Sequence, residues 1–242
     1  MFTVNHIKLD SINSTNDYTL SLKDSLVFKE GLVVTANYQS MGKGQRGRVW
    51  ESNDKENLLI SVVIEPKIKL TNQHLISKIV ALSVIDLLSY FEIKAYIKWP
   101  NDILVEKKKI AGILIQNKSK GNYISHSVIG IGLNINQLIF KTYSPNATSL
   151  RLLTNKVYKV FKIQKKFLAF LSIRLELLRV GRNQDDEYFK ALFLKDEPAA
   201  FESDNKRFMG IIKGVSDSGK LIIQHEDNSI TTFENKALKY LF

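Results

Sequence analysis

Residues 95–136 read AYIKWPNDILVEKKKIAGILIQNKSKGNYISHSVIGIGLNIN. Four apolar runs stand out, at 95–98, 103–105, 110–116 and 127–135. Between them lie Pro100-Asn101-Asp102, Glu106-Lys107-Lys108 and Ser119-Lys120-Gly121-Asn122, all rich in turn-forming residues. Connections this short cannot carry a crossover helix, so the runs are expected to pair as antiparallel neighbours.

On the N-terminal side, residues 2–8 alternate as a strand. Ser14-Thr15-Asn16-Asp17 precedes a periodic stretch (Tyr18, Leu20, Leu22) and reads as a capped helix start. Strands are expected at 32–36 and at 58–64, the latter ended by Pro66. Leu75, Ile76, Ile79, Val80, Leu82, Leu87 and Leu88 recur at helical spacing and predict a helix over 71–90, capped by Thr71 or Asn72. On the C-terminal side, helices are expected over 157–178 and 185–194. Short strands at 208–215, 221–224 and 230–233 follow, with hairpin turns at Asp217-Ser218-Gly219 and Asp227-Asn228. These predict a small β-barrel appended after Pro198. The expected architecture is α+β: a mixed, largely antiparallel sheet backed by helices over 1–194, and a small β-domain over 195–242.

The bulk composition is that of a globular protein. The chain has 242 residues, 44% of them apolar, and no cysteine, which excludes disulfides, thiolate metal sites and cysteine catalysis. No apolar run reaches a membrane span, and residues 1–10 lack the features of a signal peptide. A cytoplasmic protein without a membrane partner is the expectation. The net charge is +11. Its cations are spread along the chain, many in helix-like segments such as 156–166, and dispersed lysines read as a solvated surface, so DNA or RNA is not the expected partner.

Four constellations suggest chemistry. Met41-Gly42-Lys43-Gly44-Gln45-Arg46-Gly47-Arg48-Val49-Trp50 alternates glycines with cations and ends in an indole. Glycine lets the backbone approach a ligand closely, and successive N–H groups make an anion site, with Trp50 facing a ring at its mouth. A mobile basic surface loop fits these residues equally well. In Lys98-Trp99-Pro100-Asn101-Asp102, Asp102 reads as turn chemistry, as a ligand for a hard cation, or as a hydrogen-bond partner of a nucleotide. Lys109 opens an apolar strand in which Gly112 permits close approach; it reads as a charged hairpin edge or as a group that stabilises developing negative charge. Ile129 to Asn136 interleaves Gly130 and Gly132 with Asn134 and Asn136, leaving room against a sheet. No Rossmann fingerprint, Walker loop or Gly-x-Ser-x-Gly elbow is present, and His6, His74, His126 and His225 lack metal-ligand spacing.

Taken in order, Ser14-Thr15-Asn16, Gln39 with the 42–50 loop, Lys98 to Asp102, Lys109 to Gly112, Asn134 and Ala147-Thr148-Ser149-Leu150 resemble the biotin–protein ligase family over nearly the whole chain. The resemblance implies a sheet akin to class II aminoacyl-tRNA synthetases, followed by an SH3-like barrel. It implies a catalytic biotin- and ATP-binding domain at 1–194. The reaction it implies joins biotin to ATP as biotinyl-5′-AMP, then transfers biotin to a lysine of a biotin carboxyl carrier protein. On this resemblance Ser14, Thr15, Asn16, Gln39, Lys43, Gly44, Gln45, Trp50, Lys109 and Gly112 would hold biotin. Arg46, Arg48, Trp50, Asn101, Asp102 and Asn134 would hold ATP, with Lys109, Asp102 and Arg48 catalytic and Asp102 placing Mg²⁺. Many relatives carry arginine where this chain has Lys43 and Gln45; Lys43 keeps the charge but loses the planar fork, and Gln45 loses the charge. Some relatives carry an N-terminal winged-helix domain and act as repressors. With Ser14 so near the start, no such domain and no DNA partner are expected. A monomer and a homodimer are both compatible with the sequence.

Overall fold

The computed structural model describes residues 5–141, 146–235 and 237–241, and of Arg46 only the backbone. The chain begins with β1 (Asn5–Ile12), so residues 2–4 of the expected first strand lie outside the described residues. Helix α1 (Thr15–Ser21) follows, its N-cap Ser14 accepting a hydrogen bond from the Asp17 N–H as the sequence predicts. Next come β2 (Leu32–Gln39), the glycine loop, and β3 (Leu58–Ile64), buried at every position. Helix α2 (His74–Ser89) starts later than expected. A 3₁₀ turn at Leu70–Asn72 precedes it, and its N-cap is Gln73, which makes no capping side-chain bond; neither Thr71 nor Asn72 caps it.

The stretch 95–136 folds as β4 (Tyr96–Lys98), β5 (Asp102–Val105), β6 (Lys108–Lys120) and β7 (Tyr123–Leu133). Each pairs antiparallel with the next, as the short turns require. Positive φ at Glu106, Lys107 and Gly121 marks the hairpin turns. The seven-stranded sheet has the order β1-β2-β3-β7-β6-β5-β4. Only β1–β2 pairs parallel, so the sheet is mixed and largely antiparallel.

Both faces of this sheet are covered. Along β2, Val33 belongs to a large core with α2, whereas Leu32 and Val34 belong to a second cluster with Phe28 and the α1 residues Tyr18 and Leu20. That is period-two alternation with apolar residues on both sides, which is why β2 and β3 read as continuous apolar runs. Helix α3 (Leu150–Thr154), not foreseen from the sequence, comes next. Then follow α4 (Val160–Arg179) and α5 (Asp185–Lys190), both shorter than the periodicity suggested. Helix α4 packs on α2. Arg174 clamps the layer: its Nε and a terminal nitrogen take both oxygens of Asp86 on α2, at 2.7 and 2.8 Å, and its other nitrogen takes Glu187 on α5 at 2.6 Å.

A second sheet holds β8 (Pro198–Ser203), β9 (Lys206–Val215), β10 (Leu221–His225), β11 (Ile230–Phe233) and β12 (Lys239–Leu241), in the order β11-β10-β9-β8-β12. Pro198 opens a strand rather than preceding the unit. Among the described residues β11 and β12 do not pair, so the closed barrel expected from the sequence is not formed. One apolar core runs through both sheets, joining Ile97 and Leu192 to Phe201, Ile212 and Phe233. The half-buried His74 sits at the junction, against Gly219 of the β9–β10 turn. Burial holds its imidazole below the usual histidine range.

Candidate active site

The α1 side of the large sheet carries a polar cluster at one end. Helix α1 starts where β1 turns back over the sheet, so Ser14, Thr15 and Asn16 are all buried. Gln39, the last residue of β2, accepts from the Thr15 N–H at 2.7 Å and from its hydroxyl at 3.0 Å. Those donors fix the amide orientation, since Oε1 must be the acceptor. Ser61 of β3 bridges Thr15 and Asn16, and the Asn16 amide donates to Gln116 at 3.0 Å. Asn16 lies directly over Gly130, where an added methyl would overlap its carboxamide. Gln39→Leu should leave both Thr15 donors without an acceptor, at a cost of about 1–3 kcal/mol. A melting curve indistinguishable from wild type would contradict that accounting.

The glycine loop folds across the sheet from the end of β2. Its base is closed by the Trp50 N–H bonding to the Gly42 carbonyl at 2.8 Å and the Gly44 N–H bonding to the Arg48 carbonyl at 2.7 Å. At the tip, Gln45 accepts at 3.2 Å from Asn235, in the connection between β11 and β12. Lys43 is ion-paired with Asp17 at 2.6 Å, both side chains about half exposed (53% and 42%), so the pair adds little stability. Trp50 does not stand at the mouth of the site. Its indole lies on the cross-strand pair Gly112 and Gly132, and an added methyl at either would collide with it. The glycines in the strands therefore make room for the chain's own Trp50 and Asn16.

The β4–β5 turn and the β5–β6 hairpin supply the charges. Lys109 Nζ sits 2.6 Å from Asp102 Oδ1 and 5.5 Å from the Trp50 ring. Its backbone is held from both directions: its N–H donates to the Asn146 carbonyl at 2.7 Å, and its carbonyl accepts from Thr148 at 2.9 Å. Lys98 points to the same place. Burial holds its ammonium below the usual lysine range; Asp102 opposes this, while Lys109 and Arg48 push the same way. Asn101 donates to the Ile113 carbonyl at 2.8 Å and pins the turn to β6. Asn134, just beyond β7, donates to the Thr148 carbonyl at 2.9 Å.

One cavity of about 930 Å³ gathers these groups, a size suited to a substantial small-molecule ligand. Ser14, Thr15, Asn16 and Gln39 line one part of it; Lys43, Gly44, Gln45, Arg48 and Trp50 line another; Asn101, Asp102, Lys109, Gly112 and Asn134 complete it. The Arg46 side chain lies outside what is described. Two buried polar atoms on this wall, Trp50 Nε1 and Asn134 Oδ1, have no hydrogen-bond partner among the described residues. Unpaired buried polar atoms are uncommon and suit a ligand that brings its own donors and acceptors.

A profile of the Biotin/lipoate A/B protein ligase family matches residues 9–134, about half of the chain. The chain belongs to that family. Over 98% of this chain and 99% of the other, the fold superimposes with a TM-score of 0.80 and 26% identity on a biotin protein ligase from Aquifex aeolicus solved in complex with biotin and ATP. A biotin–[acetyl-CoA-carboxylase] ligase from Mycobacterium tuberculosis is 26% identical over 87% of this chain and 79% of its own length. The bifunctional ligase/repressor BirA of Bacillus spizizenii is 33% identical, but the match spans 53% of this chain and only 39% of that protein.

Sequence reasoning missed the contribution of the second sheet to this cavity. The β8–β9 hairpin tip (Glu202 to Asn205) and Lys239 and Tyr240 of β12 also line it, with Lys98 lying 5.2 Å from the Tyr240 ring. Asp204-Asn205 is a legible turn signal, but nothing in the sequence says which way a turn faces. Lys98 ends β4 just before the Pro100-Asn101-Asp102 turn, and that position is the signal the sequence offers for it. Among the described residues no group of three or more histidine, aspartate or glutamate side chains gathers to hold a metal, and no helix is long and apolar enough to cross a membrane.

Proposed function

We propose that this chain is an ATP-dependent biotin–protein ligase. It would condense the biotin carboxylate with the α-phosphate of ATP, releasing diphosphate, and pass the biotinyl group to a lysine of a carboxylase carrier domain. The observation that carries this reading is a single cavity with a neutral hydrogen-bonding end and a cationic end. A cyclic urea presents one carbonyl acceptor and two N–H donors. Ser14, Thr15 and Gln39 offer the complementary groups, and the Gln39 amide nitrogen carries no hydrogen bond among the described residues. A carboxylate and a triphosphate repel each other, and Lys98, Lys109, Arg48 and Lys43 surround the place where they would meet. Positioning then supplies much of the rate, and fixed cations offset the charge that builds up on the phosphoryl oxygens. Lys109 would neutralise that charge, with Asp102, 2.6 Å away, orienting its ammonium. Trp50 and the loop joined to Asn235 would keep water from the mixed anhydride.

Mg²⁺ fits this donor set only as a companion of ATP. Asp102 has one oxygen on Lys109 and one left over, and Mg²⁺ commonly takes one or two carboxylates together with substrate phosphates. When bound it would supply further charge neutralisation at the phosphates. The five-stranded sheet would correspond to the family's SH3-like unit, and the boundary near residue 195 to the start of that unit.

The decisive assay is exchange of labelled diphosphate into ATP, with and without biotin. Biotin-dependent exchange is expected. Calorimetry should show heat with biotin and none with lipoate. Exchange driven by lipoate and not by biotin would transfer the chain to the other branch of its family.

A further inference from the structure

Residues 151–166, RLLTNKVYKVFKIQKK, hold six cations (Arg151, Lys156, Lys159, Lys162, Lys165 and Lys166) and no acid. Among the described residues none of the six lies within ion-pair distance of a carboxylate. Elsewhere on the same helix α4, Arg174 and Arg179 are paired with Asp86, Glu187, Glu30 and Glu176. Lys166 lies over Tyr90, 3.5 Å from its ring centroid, and Lys165 over Phe161 at 4.6 Å. Lys156, Lys159 and Lys162 are exposed. Between the charges stand three exposed apolar side chains, Leu152, Val157 and Phe161, at 44, 72 and 54% exposure. A helix entrance this crowded with like charge repels itself, and a partner of opposite charge relieves that.

We propose that this α3–α4 face docks an acidic protein domain, the acceptor of the biotinyl group. The inference rests on the ligase reading above. It goes beyond that reading in assigning the surface that recruits the acceptor. Two observations favour a protein over a nucleic acid or an anionic membrane. The patch begins beside the cavity: Ala147, three residues before α3, lines it, and the Leu150 and Arg151 N–H groups donate to the carbonyls of Asn134 and Ile135 at the end of β7. The acceptor lysine has to arrive at that rim. The mixture of exposed apolar side chains with a charged surround also matches a protein interface, where charge steers encounter and apolar residues form the centre.

The test is the triple variant Lys156→Glu, Lys159→Glu, Lys162→Glu, with the apo biotin-accepting domain of acetyl-CoA carboxylase as acceptor. At low salt KM for that domain should rise roughly tenfold, in line with the loss of electrostatic steering. Biotin-dependent diphosphate exchange and kcat should stay at wild-type values. Added salt should raise the wild-type KM and leave the variant's nearly flat. An unchanged KM with exchange intact overturns the docking surface and leaves the ligase reading standing. Unchanged KM together with lost binding to a single-stranded RNA or to phosphatidylserine vesicles assigns the patch to those polyanions and equally overturns it. A wild-type chain without exchange overturns the ligase reading and this surface with it. Should the glutamate variant lose exchange through misfolding, the corresponding triple glutamine variant gives the same readout, with a rise in KM of about threefold.

Discussion

Lys109→Ala is expected to slow biotin-dependent diphosphate exchange by about 10²–10³-fold, the loss that follows removal of one preorganised group facing developing charge. The side chain is 28% exposed, its ammonium is 2.6 Å from Asp102, and its backbone is fixed by hydrogen bonds to residues 146 and 148. Little reorganisation is therefore needed for it to act. Lys98 lines the same end of the cavity, 5.2 Å from the Tyr240 ring, and is expected to make up only part of the loss. The fall should appear mainly in kcat, with only a small rise in KM for biotin, because Lys109 meets the carboxylate and not the neutral end of the cavity. Removing the lysine leaves the Asp102 carboxylate, 15% exposed, without its nearest counter-charge. A modest drop in melting temperature should accompany the loss, and Lys109→Arg should restore stability better than rate. Exchange within threefold of wild type in the alanine variant would remove Lys109 from the reaction.

How much of this was legible in the sequence depends on how local the signal is. The strands between 95 and 136 were found because alternation and turn residues are nearest-neighbour properties, and the short turns left only antiparallel pairing. The Ser14 cap was legible for the same reason. The helix starting at His74 was misplaced because a 3₁₀ turn took up Thr71 and Asn72, which propensity alone would have made caps. Strands β8 and β12 were missed because each is short and, apart from Phe201, only partly buried or exposed, so neither shows a clean apolar period. The site was legible as a set of ordered motifs. Its geometry was not: that Trp50 would lie flat on Gly112 and Gly132 follows from a cross-strand register no local pattern encodes. The share of the cavity built by the second sheet is likewise a consequence of packing between distant segments.

Gly132→Val should empty the Trp50 seat and cost the chain its biotin affinity. Gly132 lies mid-sheet, paired with Leu59 on one side and Gly112 on the other, in backbone that a β-branched residue adopts readily. The strand should therefore survive. Its new side chain would occupy the space held by the Trp50 indole, with rigid ring atoms rather than a flexible chain end as the obstacle. Overpacking of this kind costs about 1–3 kcal/mol, and here the relief is to expel the indole. With the indole gone from the cavity wall, its aromatic contact with biotin is lost and affinity should fall by roughly tenfold. The chain has two tryptophans, which makes the displacement visible. Trp99 is 5% exposed and hydrogen-bonded to Gly219, so its emission is a fixed reference. Trp50 emission should shift red and become open to acrylamide quenching. Gly44→Val is the milder change, since a methyl there meets nothing closer than the Arg48 carbonyl oxygen at 3.3 Å. If Gly132→Val binds biotin as wild type does while its fluorescence reports an expelled indole, Trp50 is not part of the biotin site, and the loop's role must lie with its cations alone.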